Sequence, residues 1–172
     1  MNRPFALMLV VVVLMLAGPL AIAAQSEMLR VGVYDSRGVA IAYGQSGEFK
    51  AKIDQMKAEY AAAKAAGDTA RANELGREGP WLQERMHMQG FGNLPVDDIL
   101  EGRDEMMARV AEAAGVAVIV PHVDWMGDSV EIVDVTKALM LALGMSEADA
   151  KEMMSELARV APITLPFDFG DE

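Results

Sequence analysis

Few side chains in this sequence could carry chemistry. The 172 residues hold two histidines, His87 and His122, and no cysteine. His122-Val123-Asp124, with Asp128 close by, has the composition of a metal ligand set or an acid/base pair in a turn. Asp also favours turns for its own backbone hydrogen bonds, so a polar loop explains the same residues. Asp97-Asp98 offers two carboxylates, but adjacent residues on a helix point about 100° apart and do not share a face. Their place just after Pro95 suits a helix N-terminus, where they complement the dipole. Gly90-Phe91-Gly92 lacks the further glycine and the Lys-Ser/Thr pair of a phosphate-binding loop, and the chain has no Gly-x-Ser-x-Gly elbow. This inventory points to a non-catalytic protein without a cofactor or bound metal, a small metal-dependent enzyme at His122 being the lesser alternative.

Large apolar side chains are better represented. The chain has 14 Met, and Met56, Met86, Met88, Met106 and Met107 fall in one predicted helical region. Thioethers are flexible enough to accept varied apolar partners, and equally able to fill an irregular core. Met56, Tyr60, Trp81, Met86, Met88 and Phe91 are the candidate binding residues. Trp81, Met88 and Phe91 could instead anchor the base of a helical hairpin.

The elements that must position them follow from periodicity and punctuation. Leu29 to Tyr34 alternates as a strand that Asp35 to Gly38 ends, and Val39 to Tyr43 reads as a helical turn. Ser46 is a plausible N-cap for a helix over about 47–66, with Phe49, Ile53, Met56, Tyr60 and Ala63 on one stripe. Gly67-Asp68 reads as a turn. A second helix resumes at Thr69, with Gly76, Gly79 and Pro80 expected to interrupt or kink it. Gln89 to Pro95 is expected as a loop. A third helix carries Val96, Leu100, Met107, Val110 and Ala114 up to Gly115, with Arg103 interrupting the stripe. Val116 to Val120 and Val130 to Val133 are further strands, with Trp125 packed back over the turn between them. Asp134 caps a helix to Gly144, and Ser146 with Asp149 starts another to about Arg159. The expected class is α+β: a small sheet body, a projecting helical hairpin and C-terminal helices. All three strands should lie in one sheet.

The first 24 residues bear on location. Asn2-Arg3, an apolar run from Phe5 to Leu16, the Gly18-Pro19 break and Ala21-Ile22-Ala23 have the layout of a secretory signal peptide over 1–23. Removal would leave a chain of single-domain size without a stable membrane anchor. The expected location is the periplasm. The net charge of −11 repels phosphate backbones and anionic lipid, so nucleic acid is excluded as a partner.

The first strand, Arg30-Val31-Gly32-Val33-Tyr34-Asp35 with Val39 and Ile41 after it, carries one half of a resemblance. The block Gly115 to Val120, followed by Val130-Glu131-Ile132-Val133-Asp134-Val135-Thr136-Lys137-Ala138-Leu139, carries the other. Over Leu29 to Leu143 the chain resembles the Skp/OmpH family of exported outer-membrane-protein chaperones. The resemblance implies a domain over 24–144 with a helical hairpin insertion at about 47–115, and a strand, hairpin and strand leading into the Asp-x-Thr helix start. It further implies a homotrimer whose arms hold unfolded or membrane-protein clients. The chain departs from the family in its short insertion, its acidity and an extra helix and tail at 145–172. A non-catalytic assembly module of the cell envelope on the same scaffold is the alternative.

Overall fold

The computed structural model describes residues 28–163. The leader expected over 1–23 and the tail beyond residue 163 lie outside the described residues. The architecture is α+β: a three-stranded sheet and seven helices among those residues. Strand β1 (Leu29–Val33) runs into helix α1 (Ser36–Gln45). The Asp35 carboxylate accepts from the Arg37 N–H at the start of α1. Val39, Ala40 and Ala42 are buried, so the turn expected at 39–43 is a ten-residue helix in the core. Its apolar positions were too few to show that length, and tertiary burial extends it.

Helices α2 (Gly47–Ala65) and α3 (Thr69–Phe91) form the hairpin. Ser46 caps the first by accepting from the Phe49 N–H, and Asp68 caps the second by accepting from the Arg71 N–H. Pro80 does not interrupt α3, and Gln89 to Phe91, expected in a loop, are its last residues. A proline removes one hydrogen bond, to the carbonyl four residues back. That carbonyl belongs to the exposed Gly76, where water can satisfy it.

The third predicted helix is two pieces, α4 (Asp97–Leu100) and α5 (Asp104–Ala114). Gly102 between them takes a φ of 73°, a left-handed conformation that glycine adopts without cost. Arg103 uses the break: its Nε donates to the Ile99 carbonyl at 2.6 Å and its Nη2 pairs with Glu48 at 2.6 Å.

Strands β2 (Val118–Val120) and β3 (Val130–Asp134) both pair with β1, in the order β2-β1-β3. Every pairing is parallel. One sheet thus contains the three expected strands, but β2 and β3 do not form a hairpin. Residues 121–129 carry the chain from one side of β1 to the other. Nine residues can span about 30 Å, longer than these short strands, so no helix is needed for the crossover. Trp125 does not pack over the turn; it is 84% exposed.

The chain closes with α6 (Thr136–Ala142) and α7 (Glu147–Arg159). The Asp134 carboxylate accepts from the Thr136 N–H, and Ser146 Oγ accepts from the Asp149 N–H. One sheet face, α1, α5 and α6 enclose the core, in which Val39, Val96, Val135, Leu139 and Met140 are almost fully buried. Gly38 allows the close approach of α1 to α6, since a Cβ there would stand 2.8 Å from Thr136 Cγ2. Buried Arg37 grips Asp35 with two nitrogens, at 3.0 and 2.6 Å, and donates to the Val160 carbonyl at 2.5 Å. It thereby ties the end of α7 to the start of α1.

Candidate functional site: an apolar groove in the helical hairpin

The two arms meet on different terms along their length. Near the tip the seam is Ala63 against Ala72 and Leu75, all buried, and small side chains let helices approach closely. Arg71 closes this end by pairing with Glu59 across the hairpin at 2.8 Å and with Glu74 at 2.8 Å. Hydrogen bonds from Gln55 and then Arg71 hold the Glu59 carboxyl below its ordinary pKa.

Toward the base the seam opens into a groove of about 670 Å³. Phe49, Ile53, Met56 and Tyr60 line it from α2, and Leu82 and Met86 from α3. Gly76, Gly79 and Pro80 lie along the same groove. A Cβ on Gly79 would meet nothing within 4 Å, and one on Gly76 only the Tyr60 ring at 3.8 Å. The groove exists because α3 presents hydrogens where another helix would present side chains. Lys57 lies at the groove, and Lys64 Nζ stands 5.5 Å from the Tyr60 ring centroid. An apolar trough with cationic neighbours sits on an otherwise acidic protein.

The groove is held to the body by polar contacts at the base of α3. Fully buried Gln89 donates through Nε2 to Asp98 at 2.7 Å and to the Pro95 carbonyl at 2.8 Å. Arg85 Nε donates to the other Asp98 oxygen at 2.9 Å. Burial alone would raise the Asp98 pKa; the hydrogen bonds from Arg85 and Gln89 outweigh it and leave the carboxyl below its usual value. Asp98 is therefore more than a dipole complement at a helix start. Among the described residues Gln89 Oε1 has no partner, an unmet acceptor in an otherwise satisfied junction.

Of the six candidate binding residues, the fold brings Met56, Tyr60 and Met86 into the groove. Trp81, 61% exposed, lies outside it with the Arg85 guanidinium 5.6 Å from its ring. Met88 is half-buried and lines none of the clefts described here. Phe91, 59% exposed, borders a separate cavity of about 250 Å³ with Met153, Leu157 and Ile163. The sequence marked Gly76, Gly79 and Pro80 as helix breakers and missed them as groove walls. Two glycines three residues apart, facing a partner's apolar stripe, were the available signal.

At the other chemical candidate, His122 Nε2 lies 3.6 Å from Asp124 and both side chains are largely exposed. Among the described residues no three His, Cys, Asp or Glu side chains are grouped to hold a metal ion. None of their helices is long and apolar enough to cross a membrane. No family model, curated protein or solved structure matches the chain.

Proposed function

We propose that the protein is an exported, non-catalytic holdase that shelters apolar segments of unfolded envelope proteins in the groove between its arms. The observation that carries this reading is the groove itself: an apolar trough kept open by Gly76 and Gly79 and walled by flexible Met56 and Met86. Such a surface binds by area and adaptability and does not require a matched pocket. The resemblance to the Skp/OmpH chaperones supports the same reading, and its leader-like residues 1–23 support export to the periplasm.

Assembly into a homotrimer is part of the proposal. One sheet face packs on the core through Ile119 and Val133. The other carries Leu29, Val118 and Ile132, all exposed, and apolar sheet faces of this kind are commonly covered by another chain. This uncovered face also favours the second reading, an envelope assembly module on the same scaffold.

Aggregation of a denatured outer-membrane β-barrel protein, followed by light scattering, tests the holdase reading. Substoichiometric protein should suppress it, and changing Ile53, Met56 and Met86 together to Ser should abolish suppression. Suppression that is absent in the wild type, or equal in the triple variant, overturns the groove as the client site.

A further inference from the structure

One edge of the arm's groove is charged. On α2 the apolar stripe Phe49, Ile53, Met56, Tyr60 and Ala63 recurs at alternating steps of four and three residues. That is the pattern of a coiled-coil seam, in which charged positions beside the seam choose the partner. One such position holds Lys50, Lys57 and Lys64, each seven residues after the last. Seven residues make almost two full turns of an α-helix, so the three lysines share a face, with about 10 Å between neighbours.

This face borders the groove. Lys57 lines it, and Lys64 reaches over the Tyr60 ring that forms its wall. All three lysines are exposed. Every carboxylate of α2 is already paired: Glu48 with Arg103, Asp54 with Lys50 at 3.8 Å, and Glu59 with Arg71. Lys57 and Lys64 have no ion-pair partner among the described residues. On the facing rim α3 presents Gln83 and His87, neither of them acidic. Two uncompensated cations thus flank an apolar trough in a chain whose net charge is −11.

The trough also has a definite length. Its walls run from Phe49 to Tyr60 on α2 and from Gly76 to His87 on α3, about 16 Å of helix axis on each side. That accommodates three turns of a third helix, whose side chains would enter the space left open at Gly76 and Gly79. On such a helix, carboxylates seven residues apart meet Lys57 and Lys64 in step. In an extended segment the matching period would be about three residues.

We infer that the groove takes its client segment as an amphipathic α-helix, with apolar residues in the seam and carboxylates seven residues apart facing Lys57 and Lys64. This rests on the arm being the client site, and adds the conformation and charge of the segment held there. The bound helix completes the seam as the third member of a small bundle, laying its apolar face in the trough. Its carboxylates compensate the two lysines, whereas a basic helix of the same shape is repelled at this edge.

The test is fluorescence anisotropy of three labelled peptides, each about 14 residues or four helical turns, titrated with the full chain. Salt at about 0.15 M screens the field of the distant acidic body. The first peptide has Leu at the seam positions and Glu at the flanking seventh positions. The second carries Lys in place of those Glu, and the third rearranges the first into two-residue alternation. The Glu peptide should bind about tenfold more tightly than either of the others. In the double variant Lys57→Glu with Lys64→Glu, the order of the Glu and Lys peptides should reverse while the urea midpoint stays unchanged. Equal binding of the Glu and Lys peptides, equal binding of the alternating peptide, no saturable binding, or an unreversed order in the double variant would overturn the inference. Suppression of client aggregation is read separately by light scattering. If it persists through such a failure, the groove stands as a client site and the acidic helix alone is refuted.

Discussion

The body and the arm of this protein are built to opposite specifications. In the body, α1 lies on α6 with a glycine at the contact, and buried Arg37 and Thr136 are fully engaged by Asp35 and by backbone groups. In the arm, two long helices bury only Ala63, Ala72, Leu75 and Leu82 along their shared seam and leave a trough where a core would be. Packing density fixes a single structure in the first region. Its absence in the second leaves apolar surface that another molecule can use. The contrast teaches that the stabilising region and the proposed client-binding region are separated in space, so each can be altered alone.

The largest expected effects are in the body. Gly38→Val would drive branched atoms into Thr136 and Leu157, and Arg37→Met would strip Asp35 and the end of α7 of their partner. Each should cost about 3 kcal/mol or more, read as a drop in the urea midpoint. A variant of either kind that melted like the wild type would show that the body is not the stabilising region.

At the junction the effect should be intermediate. Asp98→Asn removes the charge that Arg85 and Gln89 hold, at a cost of about 1 kcal/mol given its partial exposure. The folded pKa of Asp98 is lowered, so its stabilisation is complete above the ordinary carboxylate value. That stabilisation is lost as pH falls through the folded pKa. Wild-type stability should therefore fall on acidification by more than that of Asp98→Asn, measured by denaturant titration at neutral and acid pH.

In the arm itself, Gly79→Leu should reverse the usual link between damage and stability. The position has open space and a helical backbone, so the substitution should gain about 0.5–1 kcal/mol from helix propensity. It should also fill the groove and reduce suppression of client aggregation. Loss of stability, or unchanged suppression, would mean that the groove is not open at this point. The smallest effect on folding is expected on the uncovered sheet face. Ile132→Asp should leave the melting temperature nearly unchanged while lowering the mass in solution from trimer to monomer. A trimeric mass in that variant, or a monomeric wild type, would remove the sheet face as the assembly surface.

Much of this contrast was legible in the sequence, for local reasons. Ser46, Asp68 and Ser146 announce helix starts by chemistry that acts within three residues, and the stripe Phe49-Ile53-Met56-Tyr60-Ala63 gives the inner face of α2. The strand pairing was foreseen but the crossover was not, because a nine-residue connection is compatible with either a hairpin or a parallel return. Pro80 misled because its cost depends on whether the freed carbonyl reaches water, a tertiary fact. Half of the candidate binding residues fell outside the groove for a related reason. Residue type marks Trp81, Met88 and Phe91 as adhesive, but only the angle around α3 decides which of them meet α2.

Site-specific photo-crosslinking to an unfolded outer-membrane protein tests the central claim most directly. A photoreactive residue would be placed at Lys57, beside the groove, and in a second variant at Lys151, on the exposed side of α7. Strong crosslinks from position 57, with little or none from position 151, are the predicted result. Equal crosslinking from both positions, or none from position 57, would contradict the assignment of client binding to the arm.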